Sequence, residues 1–169
     1  MTEARPEAWL RGAIEGYDPL VMPVVHALVQ AREEIESLTT SVPEDQVWEM
    51  PGGAASVGFH IRHLGGALDR LFTYARGEAL NEAQKAFARH ESTPGATLAD
   101  LVNEASATIE KALAQLRDTA RRDLMAAREV GRAKLPTTML GALFHGAEHS
   151  TRHAGQAITT AKILRGQRS

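Results

Sequence analysis

Apolar residues recur along this chain at intervals of three and four, and β-type alternation is scarce, so the pattern predicts an all-α protein. Val21, Val24, Val25, Leu28, Ile35 and Leu38 make the first stripe. Asp18-Pro19 supplies a cap and a first-turn proline for that helix, and Ser41-Val42-Pro43 ends it. Residues 43–55 read as a loop with one short turn, because Pro51-Gly52-Gly53 marks irregular backbone. Ser56 caps a second helix running to about Ala75, with Val57, Ile61, Leu64, Leu68 and Leu71 on its stripe and Gly77 as its stop. Residues 81–89 read as a short accessory helix and residues 92–95 as a turn. Thr97, with Asp100 three residues on, opens a third long helix to about Ala120. Its buried face is Leu98, Leu101, Val102, Ala105, Ile109, Leu113 and Leu116. Residues 123–136, with Gly131 and Pro136, read as a crossing loop with one helical turn. Thr137 or Thr138 then caps a last helix to about Leu164, just before Gly166.

Long helices of roughly 20 residues, each about 30 Å, suit a four-helix bundle. The connections at 42–55 and 120–137 are long enough for crossovers, so an up-down-up-down order is one option among several. A length of 169 residues fits one domain.

Charge and composition narrow the function classes. A formal net charge of −2 gives no global case for nucleic acid or an anionic membrane, and the basic pair Arg121-Arg122 is short. With no cysteine, the chain has no disulfides, thiolate zinc sites, iron–sulfur clusters or cysteine nucleophile. The first 21 residues lack the basic-then-apolar order of a signal peptide, and no apolar run approaches the ~20 residues that span a bilayer. A soluble, cytoplasmic protein is expected.

The chemistry concentrates in HGAEHSTRHAGQ, which places His145, His149 and His153 four residues apart. Residues so spaced on a helix share a face, with Cβ atoms about 5–6 Å apart. Either consecutive pair can therefore converge on one ion. All three cannot do so from a straight helix, since His145 and His153 lie about 12 Å apart along it. A third ligand has to come from elsewhere, and HIRH on the second helix offers His60 or His63, of which His63 sits nearer the apolar stripe. Three neutral imidazoles leave coordination positions open, as in catalytic metal sites, and suit Zn, Ni, Fe or Cu.

Two other readings compete. HGAEH fits H-x-x-E-H, with Glu148 as general base, but no Asp or Glu follows His149 to supply the glutamate ligand that pattern needs. The histidines can also be polar lining on a helix surface. Elsewhere, Asp69-Arg70 reads as part of a solvated face, ion-paired with Arg62 or placed beside Thr73. Trp9 and Trp48 read as packing residues, and Tyr74 either packs or directs its hydroxyl toward the site. Gly131 has no phosphate-loop context.

SVGFHIRHLGGALDRLFTYARGE and EHSTRHAGQAITTAKILRG resemble the second and fourth helices of the DinB-like proteins, the group that includes the YfiT-type metal-dependent hydrolases. VGRAKLPTTMLGALFHGAEH is similar to that family's approach to its last helix, and the likeness spans roughly residues 20–166. The resemblance implies an up-down-down-up four-helix bundle, a homodimer, and a divalent ion, nickel or zinc foremost, on three histidines. Carried over, the ligands fall on His63, His149 and His153, with His60 and His145 as neighbours. Many relatives have a histidine directly before the last ligand, where this chain has Arg152. Some relatives are linked to low-molecular-weight thiols, so the implied activity is a metal-dependent hydrolase or a thiol-dependent transferase. A bundle that holds metal without turnover, or a purely structural dimer, is the alternative.

Overall fold

Polar caps set the start of every helix but the first. The computed structural model describes residues 5–167, apart from the side chain of Arg122. Within them lie α1 (Met22–Leu38), α2 (Val57–Ala75), α3 (Glu82–His90), α4 (Leu98–Asp118) and α5 (Met139–Gly166), with strands β1 (Ala127–Val130) and β2 (Leu135–Thr138) before α5. The side chains of Ser56, Asn81, Thr97 and Thr138 each accept from a backbone N–H in the first turn of α2, α3, α4 and α5 respectively. Those N–H groups have no partner inside the helix, so each cap satisfies a donor that would otherwise be orphaned. The start of α1 differs from expectation. Asp18 accepts instead from Leu20 in a preceding turn, and the helix begins at Met22 with no side-chain cap.

The predicted apolar stripes are the core. Leu28 and Ile35 of α1, Ile61, Leu64 and Leu68 of α2, Leu101, Ile109 and Leu116 of α4, and Leu143 and Leu164 of α5 are fully buried. Leu71 is the exception, half-exposed on a cleft wall. Helix α2 packs most extensively on α5 and also on α4, while α1 packs on α5 and α4. Small residues let α2 and α5 approach closely: a Cβ at Gly146 would stand 3.0 Å from the Phe72 ring. This seam carries His60 and His63 of α2 and His149 and His153 of α5. No helix among the described residues is long and apolar enough to cross a membrane.

The segment read as a crossing loop is built differently. After a single turn at Arg121–Asp123, residues 127–138 form an antiparallel hairpin pairing Ala127 with Thr138 and Val130 with Leu135. Its strands are too short, and its residues too polar or proline-bearing, to stand out as strands. They are held by their surroundings: Met139 N–H donates to Ala126 and Leu140 N–H to Leu124, while Arg128 Nε donates to the Ala75 carbonyl at the end of α2. The loop at 43–55 contains two single turns, Glu44–Gln46 and Pro51–Gly53, where one was expected. Arg121 pairs with Asp18, and Met1–Ala4, part of the segment read for a signal peptide, lie outside the described residues.

Candidate metal centre

His63 on α2 and His149 and His153 on α5 meet across the helix seam, each offering a ring nitrogen, with these atoms all within 4.8 Å of one another. His63 Nε2 and His149 Nε2 are 3.0 Å apart. Two nitrogens bound to one ion at about 2.0–2.1 Å stand roughly 2.9–3.4 Å apart for angles between square and tetrahedral, so this pair already has a chelate's spacing.

Two of the rings are braced from behind. His63 Nδ1 lies 2.7 Å from Glu91 Oε2, and Arg70 holds the other carboxylate oxygen at 2.6 Å. Glu91 is only 5% exposed. Burial alone raises its pKa, but hydrogen bonds from His63 and Arg70 and their charges win and hold it below the usual range. A buried carboxylate on the far nitrogen fixes both the tautomer and the orientation of an imidazole, and raises its basicity as a ligand. His153 Nδ1 faces His60 Nδ1 at 3.0 Å, so His60 supports a candidate ligand rather than joining the cluster. His60 is also the more buried of the HIRH pair, at 6% exposure, contrary to the helical-wheel expectation. Phe59 stacks on His63, with ring centroids 5.3 Å apart.

Proton placement follows. With neutral rings, His63 donates Nδ1–H to Glu91, so its Nε2 accepts and His149 donates from Nε2. His149 Nδ1 is then a buried lone pair with no hydrogen-bond partner. Burial, then the charges of His63, His145 and Arg152, push His149 down to about 4. Burial, then the neighbouring imidazoles and Arg152, push His153 down to about 3. Burial and His63 lower His60 as well. His149 and His153 are therefore neutral imidazoles at neutral pH, the charge state in which histidine serves as a metal ligand.

The remaining candidates do not join the cluster, although His145 neighbours it, with its ring centroid 5.6 Å from that of His149. His145 and Glu148 pair with each other at 3.2 Å on the outer side of α5, and Arg152 also engages the Glu148 carboxylate. That hydrogen bond outweighs the effect of burial and keeps Glu148 below its ordinary range, so it is a weak base. Asp69 stands beside Thr73, as one reading had it, and makes no ion pair with Arg62. Asp69 accepts from Gln84 of α3 at 2.6 Å, and Arg70 turns to Glu91. Arg62 lies over the Trp48 ring instead, and the Trp48 indole donates to Ala96. Trp9 is exposed, its indole N–H on Glu7. Tyr74 lines a cavity of about 1270 Å3, into which His63 and His149 also open. Glu91 was invisible in the sequence as a site residue, since it stands in an unremarkable turn 28 positions from His63.

Known proteins place the chain by family and by fold. The sequence profile of the DinB superfamily matches residues 27–157. A crystal structure described as the conserved protein of locus from Enterococcus faecalis superposes with a TM-score of 0.71 at 15% identity, covering 86% of this chain and 97% of that one. Among curated proteins none matches the sequence.

Proposed function

The chain belongs to the DinB superfamily, and on that footing we propose that it is a metal-dependent enzyme, a hydrolase or thiol-dependent transferase, using His63, His149 and His153 to hold a divalent transition metal. Nickel or zinc is the first choice and iron the next. The observation that carries this reading is the convergence of three imidazole nitrogens within 4.8 Å, one of them backed by a buried carboxylate. In this reading the four long helices take the family's up-down-down-up bundle as one domain over the whole chain, and the protein is a cytoplasmic homodimer.

When bound, such an ion supplies Lewis acidity and favours the deprotonated form of a water or substrate thiol. The protein contributes the rest. Glu91 keeps the His63 proton on Nδ1 and so keeps Nε2 directed at the centre. His60 holds His153, and Phe59 covers the histidine rings from one side. The cavity over His63 and His149 admits a small molecule.

One observation favours a second reading, metal binding without turnover. The nearby carboxylates are both engaged, Glu91 by His63 and Arg70, and Glu148 by His145 and Arg152. Neither is free to act as a general base. A screen of nickel- and zinc-loaded protein against ester and amide hydrolysis and thiol transfer separates the two. Turnover that disappears in His153→Ala supports the enzyme, while metal uptake with no turnover in any assay supports the binding protein.

A further inference from the structure

The cavity above the histidines is walled by α2, the α2–α3 connection, α3 and the hairpin, and its charges do not balance. Both carboxylates on its walls are already engaged, Glu78 by Arg76 and Glu129 by Lys134. Among the cations, Arg70 is neutralised by Glu91 and Lys85 by Glu82. Three arginines remain. Arg128, half-buried, donates only to the main-chain carbonyls of Ala75 and Ala127, at 2.7 and 2.8 Å. Arg132, exposed at the hairpin turn, forms no hydrogen bond or ion pair among the described residues. Arg89, exposed on α3, makes no hydrogen bond or ion pair among the described residues, and the Glu82 carboxylate on which its charge acts is already engaged by Lys85.

This concentration is local, because the chain as a whole carries a formal charge of −2. Arg128 has a structural explanation, as a cation at the C-terminus of α2. Arg89, in the last turn of α3, complements that helix end in the same way, whereas Arg132 has no such role, yet Arg89 and Arg132 stand on separate walls of the same cavity that contains His63 and His149. A cleft lined by one sign of charge focuses its field and collects the opposite ion. Arginine further offers a planar fork matched to carboxylate and phosphate oxygens.

We infer that this cavity binds a small organic anion, its carboxylate or phosphate group held by Arg89, Arg128 and Arg132 while the remainder reaches His63 and His149. A volume of about 1270 Å3 exceeds the roughly 300–1,000 Å3 of typical small-molecule pockets, so both ends fit. The inference rests on the proposed metal centre for what happens at the histidine end, whereas capture of the anion needs no metal.

The test uses 15N-labelled full-length protein, freed of metal by EDTA dialysis, at low ionic strength and neutral pH. It is titrated with glutarate and with glycerol 3-phosphate, and with 1,5-pentanediol and glycerol as neutral counterparts. The anions are expected to shift the amides of the hairpin and α3, the tighter of the two identifying the preferred group, while the diols leave them in place. Arg89→Glu with Arg132→Glu should weaken anion binding about tenfold or more. Arg132→Gln, a mild change at an exposed turn, should weaken it in the same direction and serves if the double variant folds poorly. Anion shifts matched by the diols, no shift at all, or affinity unchanged in the variants would overturn the assignment. Metal content measured separately on untreated protein reports the histidine site, so the two ideas fail independently.

Discussion

His63 Nδ1 and Glu91 Oε2 are 2.7 Å apart, a contact that ties the α2 ligand candidate to the far end of α3. The carboxylate is buried and shared with Arg70, so its orientation is fixed from both sides. Supports of this kind are worth about 10–100-fold in metal affinity. Glu91→Gln, which keeps the shape and removes the charge, is expected to weaken Zn2+ binding by that factor in competition with a chromophoric chelator. Wild-type affinity in that variant would mean that Glu91 does not orient the ligand.

Gly66 is what makes the contact sterically possible. A Cβ at this position would stand 2.3 Å from Glu91 Oε1 and 2.6 Å from the Phe87 ring. The glycine's φ is ordinary helix, so conformational freedom is not the reason for it. Gly66→Ala should therefore displace Glu91 and Phe87, despite alanine's better helix propensity. The expected cost is about 1–3 kcal/mol from overpacking, read by denaturant unfolding of the metal-free protein. An alanine variant as stable as the parent, with the same metal affinity, would show that α3 simply moves aside.

The lowered histidines make stability depend on pH in one direction. His149 titrates near 4 and His153 near 3 in the folded chain, against 6.5 for the free side chain, with burial the leading cause in both. Between those values the unfolded chain binds more protons than the folded one, so stability rises with pH. The contribution is complete above about 6.5 and is lost as pH falls toward 3, with Glu91, also lowered, adding to the loss in the carboxylate range. Metal-free protein should melt at a lower temperature at about pH 5 than at about pH 7.5. The double variant His149→Asn, His153→Asn should show a shallower dependence. Parallel profiles for parent and variant would assign the acid lability to other groups.

Features set by local chemistry were legible in the sequence. Caps at Ser56, Thr97 and Thr138 are decided within one turn of chain, and the stripes of α1, α2 and α4 report burial directly. The four-residue step from His149 to His153 likewise survives into the structure, because helix geometry alone puts the two on one face. The family likeness singled out His63, which a helical wheel could not separate cleanly from His60. What stayed hidden depends on partners distant in sequence. The hairpin exists because its base bonds to the start of α5 and Arg128 reaches the end of α2. Arg70 read as part of a solvated face because Glu91 reaches it only once α3 folds back on α2. The turn at Lys134, with φ of 49°, is a conformation no lysine advertises.

The central claim is that His63, His149 and His153 hold one ion, and metal content tests it most directly. Untagged protein, purified without a nickel column, should carry about one equivalent of nickel, zinc or iron by inductively coupled plasma mass spectrometry. His63→Ala and His149→Ala, folded as judged by circular dichroism, should each lose it. Parent protein that takes up no metal even after incubation with Ni2+ or Zn2+, or variants that retain the parent's content, would contradict the account.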